Sequence, residues 1–467
     1  MSGADGFPAW PPLAELAASV RSGERRAVEV LDVALERIEG GNERLNAFVH
    51  VDEQLARSAA EAVDAAVARG DDPGPLAGVP IAIKDLHDCA GMPTSQGSLW
   101  FKGGPPIERD AVDAERLRAA GAVFVGKTSA PEFGIVNFAS TKAWGISRNP
   151  WDLERTPGGS SSGSAAAVAD GIVPVATASD GGGSIRIPAA FCGLVGHKPS
   201  YGRVPVPGPM HSQTSVHGVV TTTVADAARC LDVQAGPDDR DRTSLPAAGV
   251  VYEDIIEALD VRGLRARWSL DLGFVDHVDT EVAELSRAAA EELAAAAGLE
   301  LDDEPLRLGD ATRVWLSSGV LSSWTMDGIE ERWPGRKAEL MGFTRKGLES
   351  SEGMTAPQIG RIHRRRHEFE QTVAALFAEV DVLLTPSTAV PAFAAAGPPP
   401  GGAMSTPFTM LANLCWNPAT SVPAGRTSEG LPVGLQINAR RHRDDVALRL
   451  ARILEQTRPW PRVVADA

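Results

Sequence analysis

The chain has 467 residues, 43% of them hydrophobic and 23% charged, with a formal net charge of −16 and no long basic block. That length can bury a large core, and the acidic balance argues against nucleic acid or an anionic membrane surface as the main partner. No stretch of 18 apolar residues occurs, so no membrane span is expected.

The opening residues, MSGADGFPAWPPLAELAASV, carry an acid and prolines where a signal peptide would need a basic start and an apolar run. Cys89, Cys192, Cys230 and Cys415 are scattered without CxxC spacing, the pattern of reduced, partly buried thiols in a cytoplasmic protein. Apolar residues at helical spacing predict two helices over 12–50, followed by an Ala-rich helix over 53–69. The run GVPIAIK (78–84) reads as a short apolar strand with Lys84 at its far end. Residues 110–128 give a helix, a Gly121 stop and the strand AVFVG. From Ser162 an Ala-rich helix follows, with serines available to cap its start, and then a strand over 172–178. Residues 237–260 suggest a surface excursion, and LRARWSLDLGF (264–274) reads as a strand. The helix after it has Asp279 as N-cap and Gly298 as stop. Residues 305–360 have irregular periodicity and hold Trp315, Trp324 and Trp333, for which core packing is the favoured reading. Residues 386–402 read as a loop, 431–437 as a strand and 445–457 as a terminal helix. This alternation favours a layered α/β architecture.

Two motif matches fail on physical grounds. GAVFVGKT (121–128) fits the nucleotide-binding P-loop expression, but its middle residues are apolar and strand-forming where a flexible phosphate-wrapping loop is needed. His363 and His367 share one helical face, yet three arginines lie between them and no acidic partner completes a metal site. A solvated basic face is expected there, and no metal.

The informative stretch is TPGGSSSGSAAAVADGIVPVATASDGGGSIRIPAAFCG, residues 156–193. Gly181, Gly182 and Gly183 can present consecutive N–H groups, and Ser184 follows at once. Pro188 suits the first turn of a short helix ending at Gly193, which places Ser184 near a positive helix terminus. Such a loop supplies a nucleophile beside an oxyanion hole, although a plain Gly/Ser turn would read alike. A serine cluster at 160–162 precedes it. For a base, His197 is near in sequence but has no recognisable acidic partner arrangement. Lys84 ends an apolar strand, where burial against hydroxyls would lower its pKa into the range of a neutral base. Asp85 is expected to face the other way.

These elements together resemble the amidase signature family: GVPIAIKD around Lys84, GGSSSGSAAAVA around Ser160 and SDGGGSIRIPAAFCGLVGHKPSYGRVP around Ser184, with support from GKTSAPEFG, SRNPWD, DVLLTPS and NPATSVPAG. The resemblance covers about residues 12–460, leaving 1–11 and 461–467 as tails. It implies a single large α/β/α layered domain around a mixed sheet and a Ser-Ser-Lys triad. Lys84 matches the base, Ser160 the bridging serine held by a cis peptide, and Ser184 the nucleophile that forms an acyl-enzyme. The N–H groups of Gly181, Gly182, Gly183 and Ser184 match the oxyanion hole, with Asp180, Arg186 and Ser161 in support. The chain departs from the family pattern at Gly181 (commonly Thr or Ile), Ser162 (commonly Gly), His217–Val220 and Asn417.

The implied activity is hydrolysis of a small-molecule carboxylic amide to acid and amine or ammonia, with no cofactor, nucleic acid or membrane. A homodimer is compatible with it. The alternatives are the glutaminase subunit of a tRNA-dependent amidotransferase, made less favoured by the altered stretch 211–220, and a catalytically silent binding protein of the same fold. The substrate is not readable; residues 305–360 and the loop after Pro386 are expected to shape its pocket.

Overall fold

The computed structural model describes residues 6–208 and 213–467. The first five residues of the expected N-terminal tail, and His211 and Ser212 of the altered stretch, lie outside the described residues. Among the described residues, eleven strands form one mixed sheet. From one edge their order is Phe48–Val51, Val123–Thr128, Pro80–Lys84, Val175–Asp180, Val216–Thr221, Val195–Lys198, Ala419–Arg426, Pro432–Ala439, Val382–Pro386, Arg265–Trp268 and Glu300–Asp302. Pro80–Lys84 runs parallel to both Val123–Thr128 and Val175–Asp180. The next pairings, through Val216–Thr221 to Val382–Pro386, are antiparallel. Helices cover the sheet, giving the layered α/β fold, and no helix among the described residues is long and apolar enough to cross a membrane.

The central strands are buried end to end, which is why they read as continuous apolar runs rather than alternating ones. Every residue of the helix Ser162–Ala169 is buried too. Its small side chains let it sit close under the sheet: a Cβ on Gly163 would fall on the Ala47 carbonyl and 2.6 Å from Ser129 Oγ. Asp279 caps its helix by accepting from the amides of Glu281 and Val282, and Gly298 closes that helix in the left-handed region.

Several expectations are corrected. Within 264–274 only Arg265–Trp268 pairs as strand, because Asp271 and Ser269 turn the chain through side-chain bonds to Gly273 and Leu272. The supposed surface excursion contains the helix Tyr252–Ala258, anchored by buried Tyr252 and Ile256. The strand expected over 172–178 begins at Val175 and runs on to Asp180. The chain ends also pack: the Phe7 amide donates to the Asp170 carbonyl, Trp10 Nε1 donates to the Gly171 carbonyl, and Val463 and Val464 are buried. The P-loop match is a buried strand, His363 and His367 are solvent-exposed, and the four cysteines are free and buried.

Gly163→Ala is expected to lower unfolding stability by about 1–3 kcal/mol through overpacking against the Ala47 carbonyl, read as a drop in the urea midpoint at unchanged slope.

Candidate active site

Two adjacent parallel strands end side by side, and this brings Lys84 to the last residues of Val175–Asp180. The Lys84 amide donates to Thr177 Oγ1 at 2.8 Å, tying the strand ends together. Lys84 Nζ is fully buried and lies 2.9 Å from Ser160 Oγ, 2.8 Å from Ser161 Oγ and 3.0 Å from Ser179 Oγ. Burial pushes its pKa down to about 7, against the opposing pull of the Asp180 charge. Asp85 turns away to Ser95 and Gly97, as the strand alternation requires.

Two other lysines are buried with lowered pKa, Lys127 and Lys198. Lys127 donates to the His87 carbonyl and Thr94 Oγ1, and Lys198 to the Pro199 carbonyl. Of the three, Lys84 is the one set among serine hydroxyls. His197 does have an acidic partner, Asp444, 3.4 Å away and distant in sequence. Its other nitrogen meets Thr420, and Ser200 bonds to Asp444 rather than to the ring, so no activated serine results.

The serines expected to cap Ser162–Ala169 do something else. Ser161, at the N-cap, makes no capping bond; its hydroxyl meets Lys84. Ser162 Oγ donates to the Gly158 carbonyl. The Gly159–Ser160 peptide is cis, as the family resemblance implied. The loop 133–138 backs this peptide: Gly159 lies against Asn137 and Phe138, and Gly134 against Ser160.

Ser184 sits half-buried in the turn before the helix Arg186–Cys192, with Pro188 in its first turn and Gly193 left-handed at its end. Its hydroxyl has no hydrogen-bond partner among the described residues, so the structure joins Lys84 to Ser160 but does not itself bond Ser160 to Ser184. Around Ser184 the loop is held from beneath. Asp180 accepts from the amides of Gly183 and Ile185 and faces Arg186 at 2.9 Å. Burial would raise the Asp180 pKa, yet the Arg186 guanidinium brings it down to about 2. Arg186, fully buried, also donates to the Thr409 carbonyl, Gln436 Oε1 and Asn413 Oδ1.

The Asp180–Gly183 bond corrects one expectation: at 2.6 Å it commits the Gly183 amide, which is therefore not a free oxyanion donor. The amides of Gly181, Gly182 and Ser184 donate to no protein acceptor among the described residues. Gly181 is not in the left-handed region, and the nearest atom to a Cβ there is 3.8 Å away. Glycine is thus not sterically required where the family commonly has Thr or Ile. Sequence reasoning missed Ser179, Thr409, Asn413 and Gln436, which lie in unremarkable contexts. Trp315 packs against the core as expected, and its indole also donates to the Gly181 carbonyl at 2.7 Å, a bond that sequence reasoning did not foresee.

A second titratable cluster, also unread in the sequence, lies nearby. His87 and His217 stack at 3.8 Å with planes 10° apart, and their Nδ1 atoms share Asp113 at 2.8 and 3.0 Å. These three side chains form the one group among the described residues with metal-ligand chemistry. Parallel rings cannot both aim an in-plane Nδ1 lone pair at one ion, so the arrangement is a hydrogen-bonded stack. It gives His217, one of the family departures, a structural partner.

Arg186→Met is expected to cost about 3–5 kcal/mol by leaving the buried Asp180 carboxylate without its cation. Chemical denaturation checks this, with Asp180→Asn/Arg186→Met expected to recover part of the loss.

The amidase family model matches residues 29–448. An acylamidase from Rhodococcus erythropolis is 37% identical, covering 97% of this chain and 96% of that protein. A glutamyl-tRNA(Gln) amidotransferase subunit from Synechococcus sp. (strain RCC307) is 38% identical, over 95% of this chain and 97% of its own. Among solved structures, a bacterial aryl acylamidase of the amidase signature family superposes with a TM-score of 0.90 at 29% identity, covering 97% of each chain. A 6-aminohexanoate cyclic dimer hydrolase bound to substrate superposes with a TM-score of 0.88 at 28% identity, covering 97% of this chain and 98% of that one. The chain belongs to the amidase signature family.

Proposed function

We propose that this chain hydrolyses a small-molecule carboxylic amide through an acyl-enzyme on Ser184, with Ser160 as proton relay and Lys84 as base. The observation that carries the reading is a fully buried amine, its pKa lowered to about 7, 2.9 Å from a serine hydroxyl. Neutral Lys84 accepts the Ser160 proton while Ser160 takes that of Ser184. The Ser184 oxygen adds to the amide carbon, and the carbonyl electron pair moves onto oxygen, facing the free amides of the 181–184 loop. As the oxyanion collapses the C–N bond breaks, and the leaving nitrogen receives the proton back from Lys84 through Ser160. Water then adds to the acyl carbon by the same relay, releases the carboxylic acid and restores Ser184. No cofactor enters any step. The free buried thiols support a cytoplasmic setting.

The same proposal assigns the substrate pocket to residues 305–360 and the loop after Pro386. Both lean on the loop behind Ser160: Asn137 donates to Ser405 and Thr406, and Phe393 packs on Phe138. Trp324 and Trp333 meet edge to face in a cluster with Trp100, Phe101 and Phe133. The apolar character of these walls supports a substrate with an apolar portion.

A second reading, a glutaminase component that works only with partners, is favoured by the 38% identity to the amidotransferase relative. The two separate in one assay. The isolated chain is expected to hydrolyse chromogenic 4-nitroanilides of graded acyl length; inertness towards all of them, with glutaminase activity appearing only beside partner proteins, would favour the second.

Ser184→Ala is expected to lose labelling by a fluorophosphonate probe and at least about 10³-fold in kcat. For wild type, kcat/KM on the anilide is expected to rise with pH through about 7 and level off above it, because the neutral amine is the active form and its fraction grows as protons are withdrawn. Lys84→Arg, charged at every accessible pH, is expected to be inactive across the range.

A further inference from the structure

The 180–184 loop is a row of four peptide planes, and each carbonyl in the row has its own donor. Asn413 Nδ2 donates to the Asp180 carbonyl at 2.9 Å, Trp315 Nε1 to Gly181 at 2.7 Å, Thr409 Oγ1 to Gly182 at 2.6 Å and the Ile187 amide to Gly183 at 2.7 Å. In a trans peptide the carbonyl and the following N–H point in opposite directions. Pinning the carbonyl therefore aims the amide. The Gly182–Gly183 unit is held at both ends, by Thr409 on its oxygen and Asp180 on its N–H. The Gly181–Gly182 unit is held at its oxygen only, and its N–H is one of the free donors of the loop.

We infer that Trp315 is the positioning residue for the Gly182 oxyanion donor. The inference rests on the amidase reading above and deepens it. The indole fixes the peptide in two ways: its N–H holds the Gly181 oxygen, and its six-membered ring covers Gly182 so closely that a Cβ there would come within 2.6 Å. Gly182 has neither a side chain nor a positive φ to restrict it, so an external clamp is what stops the plane from rotating. Trp315 sits on the helix Ala311–Ser322, inside the segment assigned to the substrate pocket, and packs with the apolar cluster that holds Phe408 and Leu411. The helix bearing Trp315 thereby connects the pocket-forming segment directly to the charge-stabilising loop. A change in how this helix seats alters the aim of an oxyanion donor as well as the shape of the cavity.

The test separates aiming from walling. Trp315→Phe keeps a ring against Gly182 and removes the N–H. On a chromogenic 4-nitroanilide, kcat is expected to fall about tenfold with KM within twofold of wild type, the behaviour of a group felt in the transition state alone. Affinity for an alkyl trifluoromethyl ketone, which forms a tetrahedral oxyanion on the nucleophile, is expected to weaken by the same factor. A raised KM with unchanged kcat, or ketone affinity equal to wild type, would overturn the positioning role and leave Trp315 a pocket wall. Should Trp315→Phe fail to fold, site-specific benzothienylalanine at 315, an isostere with sulfur in place of N–H, gives the same two readouts. Ser184→Ala as active as wild type would sink the amidase reading itself, whereas inactive Ser184→Ala beside a fully active Trp315→Phe removes only the clamp.

Discussion

Much of this molecule is organised around one amine kept out of water. Lys84 Nζ has three serine hydroxyls and a backbone carbonyl around it and, among the described residues, no carboxylate in contact. A pKa brought from 10.5 to about 7 corresponds to roughly 5 kcal/mol held against the fold at neutral pH. The linkage has a definite sign: the unfolded chain takes up a proton that the native site binds weakly, so this contribution is absent above about pH 10.5 and grows as pH falls towards 7. Such a cost is tolerable only inside a large, rigid core, and the surroundings supply one. The strands Pro80–Lys84 and Val175–Asp180 and the helix Ser162–Ala169 are buried along their whole length.

The same logic of opposed demands runs through the glycine loop. On the reading proposed above this loop is an oxyanion site, which needs amides that are desolvated yet unpaired in the resting protein, a costly state for a backbone. The fold confines that cost by satisfying everything else. Carbonyls along 180–183 all have donors, the Gly183 and Ile185 amides bond to Asp180, and Asp180 is neutralised by Arg186. Arg186 in turn is satisfied by Thr409, Gln436 and Asn413. The donors that remain are unpaired against a background with no slack.

The local grammar of the sequence was legible wherever a residue type has few alternative uses. Three consecutive glycines before a serine, a lysine ending an apolar strand and a proline two residues into a short helix each have a narrow physical meaning, and each lies where its type implies. What could not be read was partnership over long separations. Nothing around Trp315 distinguishes an indole that also binds a carbonyl 134 residues earlier from one that only packs against a core. Ser161 and Ser162 looked like caps because local bonding rules favour caps, and only the position of Lys84, 77 residues upstream of Ser161, diverts its hydroxyl. The Gly183 amide was misassigned for a related reason: a glycine run advertises available N–H groups, and whether an acidic neighbour bends back to claim one depends on backbone dihedrals that composition does not encode.

The ion pair beneath the loop has a temporal consequence. Arg186 is locked by groups at 409, 413 and 436, and two of the loop's carbonyls are pinned from 409 and 413. A ribosome extends the chain from its N-terminus, at about 5–20 residues per second. By the time Lys84 and the three serines have emerged, the parts that aim the loop have yet to be synthesised. On the reading proposed above, the nascent protein therefore carries Ser184 for many seconds in an unarmed state, and the supports of its loop are completed only when the last strand, Pro432–Ala439, slots into the sheet.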